Sequence, residues 1–440
     1  MNLPTDIVLN IFRHLTLREI VLLSRTNKYL YTIFKNNTHF IYRELNLYTI
    51  ILNNINTSYI EAIKSGDIHQ IQLLYHIGID IDIQNKHGEI PLMFALQFST
   101  PEIIKIILDK TRNINAKNKC GNTPLIFALQ YSTPEIIVRI LDREPDVNVK
   151  NNCGATILLF ALKYQTPDVI HMILDKYTYI EYQSLLYALK YSIPQIINKM
   201  LNTNPEINIE SKYSDIPIFY ALKYSTPEII TKILNLHKNI NVKDQNGTTL
   251  LMYALIHSTP EIVEKILDRD PDIDIKESGG KTALIYSLLI STPQIINKIL
   301  DKTSDINVKD YGGNTPLIIA LKRNIPEIIE KILERGGDIN LHNKGDYSSL
   351  MIALKHNTPD IVDKILDRDP YINVKHRFGD TPLMVALEFS TPEIINRILD
   401  LGGDINLKHI NNSSPSKYLQ KYKTTPKIKK RILLKIKNIN

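Results

Sequence analysis

Several things are scarce in this chain of 440 residues. It has no tryptophan, two cysteines and sixteen glycines. Two cysteines cannot build a disulfide framework, and so few glycines exclude a collagen-like or low-complexity chain. No apolar run approaches the ~18 residues of a membrane span, and Met-Asn-Leu-Pro-Thr-Asp does not read as a secretory leader. A soluble, intracellular protein without a membrane role is expected. Acidic residues are missing from one region only: ten lysines and arginines and no Asp or Glu follow Asp404. The whole chain carries +7, so residues 1–404 are left at −3. The basic character that would suggest nucleic acid is therefore confined to the last 36 residues.

What is present in quantity is repetition. Prolines opening a Pro-(Glu/Gln/Asp)-(Ile/Val)-(Ile/Val) segment stand at 101, 134, 167, 194, 227, 260, 293, 326, 359 and 392. Every step is 33 residues except one of 27, from Pro167 to Pro194. Six residues before each lies Ala95, Ala128, Ala161, Ala188, Ala221, Ala254, Ser287, Ala320, Ala353 or Ala386, a helix position with no room beyond a methyl group. The unit reads as two short helices and an extended finger. Thr123 with Pro124 opens the first helix. The second starts either with a capping box from Ser132 to Glu135 or with Thr133 as cap and Pro134 at the first turn. Ile136, Ile137, Ile140 and Leu141 form its apolar face. The alternating stretch 146–154 ends at a glycine turn, a hairpin-like finger.

This pattern resembles the ankyrin repeat, whose Gly-x-Thr-Pro-Leu-x-x-Ala opening stands at Gly121–Ala128, Gly313–Ala320 and Gly379–Ala386. The resemblance implies an all-α solenoid of helix-turn-helix pairs with β-hairpin-like fingers. With a degenerate unit at each end, twelve units are counted: eleven over residues 58–404 and a basic capping repeat over 405–440. The 27-residue unit omits the finger tip near Tyr179–Tyr182, so a gap in the row of fingers is expected.

The period vanishes upstream. Leu3, Pro4, Ile7, Ile11, Phe12 and Leu15 lie at helical spacing, and Ile20 and Leu23 continue a second short piece. These residues resemble the F-box motif, with Asp6 for its Glu, Val8 for its Leu, Glu19-Ile20 for its Asp-Leu and Lys28 for its downstream Lys. A small helical F-box-like module over 1–48 and a linker over 49–57 are read from them. The combination with ankyrin repeats resembles proteins of large DNA viruses. It implies that Leu3, Pro4, Ile7, Ile11, Phe12, Leu15, Ile20 and Leu23 dock the adaptor subunit of a cullin–RING ubiquitin ligase, while the repeats select a target protein. A hydrophobic cap for the solenoid is the plainer alternative for the same residues.

No catalytic chemistry is found. Gly279-Gly280-Lys281-Thr282 imitates a phosphate loop, but Ile275 stands where that loop needs glycine, and the repeat already explains Gly280 and Thr282. Cys120 and Cys153 share a slot in successive fingers, about 8–10 Å apart by helix-stacking distance and so beyond disulfide reach. No second pair at zinc spacing exists. A protein that is not an enzyme, with no cofactor and no metal, monomeric outside its complex, is expected.

What remains is surface. Three residues before the helix-opening prolines stand Tyr131, Tyr164, Tyr191 and Tyr224, with Lys163, Lys190 and Lys223 one residue earlier. They read either as a ladder sealing each repeat against the next or as a partner groove with aromatic anchors and a cationic rim. Tyr213, Tyr311 and Arg377 at the finger tips add candidate specificity contacts. The basic tail reads first as a solvated cap, then as a nuclear-import signal, and last as a nucleic-acid patch. The function expected is a non-catalytic substrate receptor, with a scaffold that sequesters a partner as the alternative.

Overall fold

The computed structural model describes residues 7, 29–30, 32–33, 59–77, 79–177, 180–203, 217–407 and 425–437. Contacts group them into two compact units, Met1–Asn208 and Ile209–Asn440. Among the described residues regular structure is helical, with isolated bridges but no strand.

In the first unit, residues 59–65 and Ile68–Ile77 form a helix pair, followed by Pro91–Phe98 with Pro101–Lys110, Pro124–Tyr131 with Pro134–Leu141, Ile157–Tyr164 with Pro167–Lys176, and Tyr182–Tyr191 with Pro194–Thr203. The second unit repeats the arrangement from Pro217–Tyr224 with Pro227–Leu236 to Pro382–Phe389 with Pro392–Asp400, and adds Pro426–Lys437. The sequence period is thus a period of helix pairs.

Each boundary has a local cause. The first helix stops at Ser132, whose N–H still donates to the Ala128 carbonyl although its backbone has turned extended. Thr133 then precedes a proline, which disfavours the helical conformation and holds it at φ −76°, ψ 157°. Pro134 restarts the helix at its first turn, where its missing N–H costs nothing. Of the two starts considered from sequence, Thr133 takes the N-cap position with Pro134 at the first turn, though the Thr133 side chain makes no capping hydrogen bond, and the Ser132 hydroxyl donates to the Leu96 carbonyl of the preceding repeat at 3.4 Å. Thr123 sits at the N-cap position but makes no capping hydrogen bond. Thr156, Thr249, Thr282, Thr315 and Thr381 do accept from the third residue of their helices.

The cores lie between the two helix rows. Ile136, Ile137, Ile140 and Leu141 are buried from one side, Leu125, Ile126, Ala128 and Leu129 from the other. Each such aliphatic contributes about 1.5–3 kcal/mol by leaving water. The recurring alanine is fully buried in every repeat, so the small-residue register marks a close approach. Where Ser287 replaces it, the hydroxyl is satisfied by donating to the Leu284 carbonyl at 2.8 Å.

Three polar ladders hold successive repeats. At the finger tips, Lys119 N–H donates to the His87 carbonyl (2.8 Å) and Asn152 N–H to Cys120 (2.9 Å) in the first unit; Tyr311 donates to Gly279 (2.7 Å) and Lys344 to Gly312 (2.8 Å) in the second. At the finger base, Asn115, Asn241, Asn307, Asn340 and Asn373 each accept the backbone N–H of a residue in the next repeat, at 2.8–2.9 Å. Behind the second helices, Arg143 donates to the Thr111 carbonyl (2.7 Å), Arg269 to Leu234 and His237 (both 2.7 Å), and Arg335 to Thr303 (2.7 Å). These arginines satisfy carbonyls that a helix end leaves without intrahelical donors.

In the 27-residue repeat the second helix ends at Lys176 and the next first helix starts at Tyr182. Tyr177 and Ile180, between them, are both buried. Burial pushes the Tyr177 phenol up to about 12. The final helix packs Ile428 and Ile432 inward, while Arg431 donates to the Asn396 carbonyl and pairs with Asp400. Leu433 and Leu434 on this helix are half exposed, and Lys427 and Lys430 are exposed.

Candidate partner-binding surface

The first helices expose a row of aromatics. Phe98, Tyr131, Tyr164 and Tyr191 are 41–61% accessible in the first unit, and Tyr224 45% in the second. A ladder that merely sealed repeats would bury these rings. Each instead pairs with an aromatic four residues earlier on its own helix: Phe94 with Phe98 (6.4 Å between centroids), Phe127 with Tyr131 (6.2 Å), Phe160 with Tyr164 (6.2 Å), Tyr187 with Tyr191 (4.7 Å) and Tyr220 with Tyr224 (6.2 Å). Offset and tilted rings at such distances attract. The pairing presets the orientation of the outer ring.

The lysines use the same rings. The ammonium groups of Lys163, Lys190 and Lys223 lie 5.1, 4.9 and 5.2 Å from the ring centres of Tyr164, Tyr191 and Tyr224. In such cation–π contacts the ring face attracts the ammonium electrostatically. Tyr164 holds the Lys163 ammonium above its usual range. The inner aromatics, Phe94, Phe160, Tyr187 and Tyr220, were not singled out from sequence, although their recurrence four residues before the exposed ring was a readable signal.

The finger-tip candidates lie apart from this row. Tyr311 is 76% exposed, with the Lys344 ammonium 3.6 Å from its ring centre, and Arg377 is exposed at a tip whose backbone donates to Gly345. In the second unit a groove of about 220 Å³ opens between a finger and two first helices, lined by Tyr347, Met351, Lys355, Met384, Glu388 and Phe389 among others. Beside it, His376 is buried in the slot that Asn, Asp or Glu fills in other fingers; its Nδ1 accepts from the Asp380 N–H at 3.0 Å.

Ile7 is helical and about half exposed. Leu3, Pro4, Ile11, Phe12, Leu15, Ile20 and Leu23 lie outside the described residues, as do Tyr213 and the stretch 49–57. Cys120 and Cys153 are exposed free thiols. Among the described residues no group of three or more His, Cys, Asp or Glu could hold a metal ion, and no helix is long and apolar enough to cross a membrane.

Comparison with known proteins agrees with this architecture. A family model for ankyrin repeats, in three copies, matches residues 59–151, 185–277, 218–310, 259–343 and 317–409, well over half of the chain. A model described as F-box-like matches residues 1–47. Among curated proteins, the chain is 35% identical over 60 residues to ankyrin repeat, SAM and basic leucine zipper domain-containing protein 1 of Carollia perspicillata, covering 14% of this chain and 13% of that protein. The same-named protein of Neofelis nebulosa is 33% identical over 58 residues, 13% and 12% of the two chains. These matches span only about an eighth of their relatives' length. The crystal structure of the ankyrin repeat domain of Bcl-3, a member of the IkappaB protein family, superposes with a TM-score of 0.39 at 22% identity, over 47% of this chain and 95% of that one. The chain belongs to the ankyrin-repeat family and carries an F-box-like domain, residues 1–47, ahead of its repeats.

Proposed function

We propose that this protein is a non-catalytic substrate receptor of a cullin–RING ubiquitin ligase of the SCF type. Residues 1–48 dock the adaptor subunit, 49–57 link, 58–404 hold a target protein, and 405–440 cap the array. The observation that carries the reading is the pairing in one chain of an F-box-like domain with an ankyrin array. Both are protein-interaction modules, and the exposed aromatic row suits a target surface, since tyrosine is enriched among residues that dominate binding energy. The reading places the protein inside a cell, where the ligase machinery works.

The test is retention of purified adaptor by the full chain, wild type and Ile7→Asp/Leu15→Asp. Two carboxylates on the apolar docking face are expected to abolish retention while the far-UV circular dichroism of the repeats stays unchanged. Equal retention by both proteins would remove the receptor reading. A second reading, a scaffold that sequesters its partner, is supported by the aromatic row itself, which does not depend on residues 1–47. Deleting those residues leaves a scaffold active and a receptor inactive.

A further inference from the structure

Charge is sorted between the two helix rows. Every first helix from Pro91–Phe98 to Ser349–His356 lacks Asp and Glu; on that row among the described residues Glu61 precedes them and Glu388 follows. The second helices carry both signs and neutralise one another between repeats. In the second unit Lys298 meets Glu264 and Lys331 meets Asp301, both at 2.6 Å, and Lys364 meets Glu330 and Arg397 meets Asp363. Lys322, Arg323 and Lys355, on successive first helices, enter no ion pair with a carboxylate among the described residues. Lys322 donates to the Asn314 side-chain oxygen at 3.1 Å, Arg323 to the Leu288 carbonyl at 2.8 Å, and Lys355 lies 5.8 Å from the Phe389 ring centre. His356 beside them registers the same excess of positive charge: burial first, then Lys355 and Lys322, hold it below its ordinary range. The groove described above opens next to these cations, with Met351, Met384 and Val385 among its lining.

We infer that the first helices Pro316–Arg323, Ser349–His356 and Pro382–Phe389 form the docking site for an extended acidic protein segment, with two or more carboxylates near one large apolar residue. The apolar residue enters the groove, whose flexible methionines adapt to its shape. The carboxylates meet Lys322, Arg323 and Lys355. Neighbouring helices lie ~8–10 Å apart and an extended chain advances ~3.3 Å per residue, so carboxylates and anchor are separated by about three residues. The groove also presents Asp380 and Glu388. Those carboxylates, Asp380 and Glu388, repel a continuous phosphate backbone but leave a peptide free to place its few charges elsewhere. The inference rests on the reading that the repeats hold a target, and not on adaptor docking.

The test immobilises the full chain and selects a random dodecapeptide display library against it. The recovered peptides should be enriched in Asp and Glu with one large apolar residue two to four positions away. A synthetic peptide of that consensus should lose roughly tenfold in affinity for Lys322→Glu/Lys355→Glu and bind Lys298→Glu, altered on the second-helix row, as well as wild type. All three substitutions are at exposed positions, and circular dichroism confirms the fold. Recovery of peptides without acidic bias, no enrichment at all, or affinity indifferent to the double charge reversal overturns the inference. So does tight, salt-sensitive binding of an oligouridylate that the double variant loses, which assigns the site to nucleic acid. Adaptor retention is measured on the same proteins: wild type that retains adaptor but selects no acidic peptide removes this inference and leaves the receptor reading standing.

Discussion

Replacing finger-tip glycines by alanine separates two costs that the structure assigns to different repeats. Gly154 and Gly313 have nearly the same backbone, φ +78° and +73°, so a Cβ meets the same left-handed strain at both, about 1–2 kcal/mol, partly offset by the lost flexibility of the unfolded chain. Their surroundings differ. A Cβ on Gly154 has nothing within 4 Å, at the point where the following repeat is the one shortened to 27 residues. A Cβ on Gly313 would stand 2.9 Å from the Lys344 nitrogen and 3.1 Å from Asn343 Cα. It would push away the tip whose Lys344 N–H donates to Gly312. Losing that bond adds about 1 kcal/mol, and displacing the tip backbone more. Gly154→Ala is therefore expected to cost about 1 kcal/mol and Gly313→Ala about 2–4 kcal/mol. Urea denaturation followed by far-UV circular dichroism gives the two stabilities, and hydrogen exchange at Lys344 reports the local bond. Repeat arrays can lose their ends separately, so the local exchange rate is the sharper reading. Equal costs at the two sites, with Lys344 exchange unchanged in Gly313→Ala, would refute tip-to-tip packing. Asp346 supplies the converse, since it holds φ 60° where its neighbours have glycine; Asp346→Gly should not destabilise.

Arg269→Ala removes hydrogen bonds to the Leu234, His237 and Lys238 carbonyls and should cost about 1–2 kcal/mol, read as a lowered urea midpoint. His257 and His356 are held below their ordinary value of 6.5, by burial first and then by Lys223 in one case and Lys355 and Lys322 in the other. A base whose folded pKa is depressed contributes stability present above pH 6.5 and lost as pH falls through the folded value. His257→Gln/His356→Gln should therefore flatten the fall in thermal midpoint between pH 7.5 and 5, and an unchanged slope would refute the assignment. Tyr177→Phe removes the oxygen that accepts the Leu158 N–H at 3.4 Å; a loss of about 1 kcal/mol is expected from thermal denaturation.

Much of the fold was legible because it is written in covalent constraints. A proline every 33 residues fixes a helix start, the residue before it must be extended, and an alanine six positions earlier marks where backbones approach. Thr123 shows the limit of such reading: the residue type and position were right, yet its hydroxyl makes no cap, because a side-chain rotamer is chosen by packing. The surface was legible in part. The exposed row at Tyr131, Tyr164, Tyr191 and Tyr224 could be read from spacing, but whether it sealed repeats or faced water depended on which rings pair, and those pairs turned out to lie within one helix. The groove at Met351, Met384 and Tyr347 was not readable, since it is made by residues from two repeats and a finger, each ordinary on its own. Charge sorting was open to a simple inspection of the first-helix segments, but its meaning needed the second-helix ion pairs to show that the remaining cations are left over.

The arginine ladder has a direction. Arg143, Arg269 and Arg335 each reach toward the preceding repeat and close the open carbonyl end of its second helix. The repeats overlap as roof tiles do, every course covering the fastening of the one before. Taking away a later course strips the cover from a helix end that was sealed, whereas taking away an earlier one leaves only an arginine that water can solvate. Within each unit the two directions of unravelling are therefore unequal. A molecular machine that pulls from the later side meets a stack that loosens step by step, and one that pulls from the earlier side must begin against tiles still pinned.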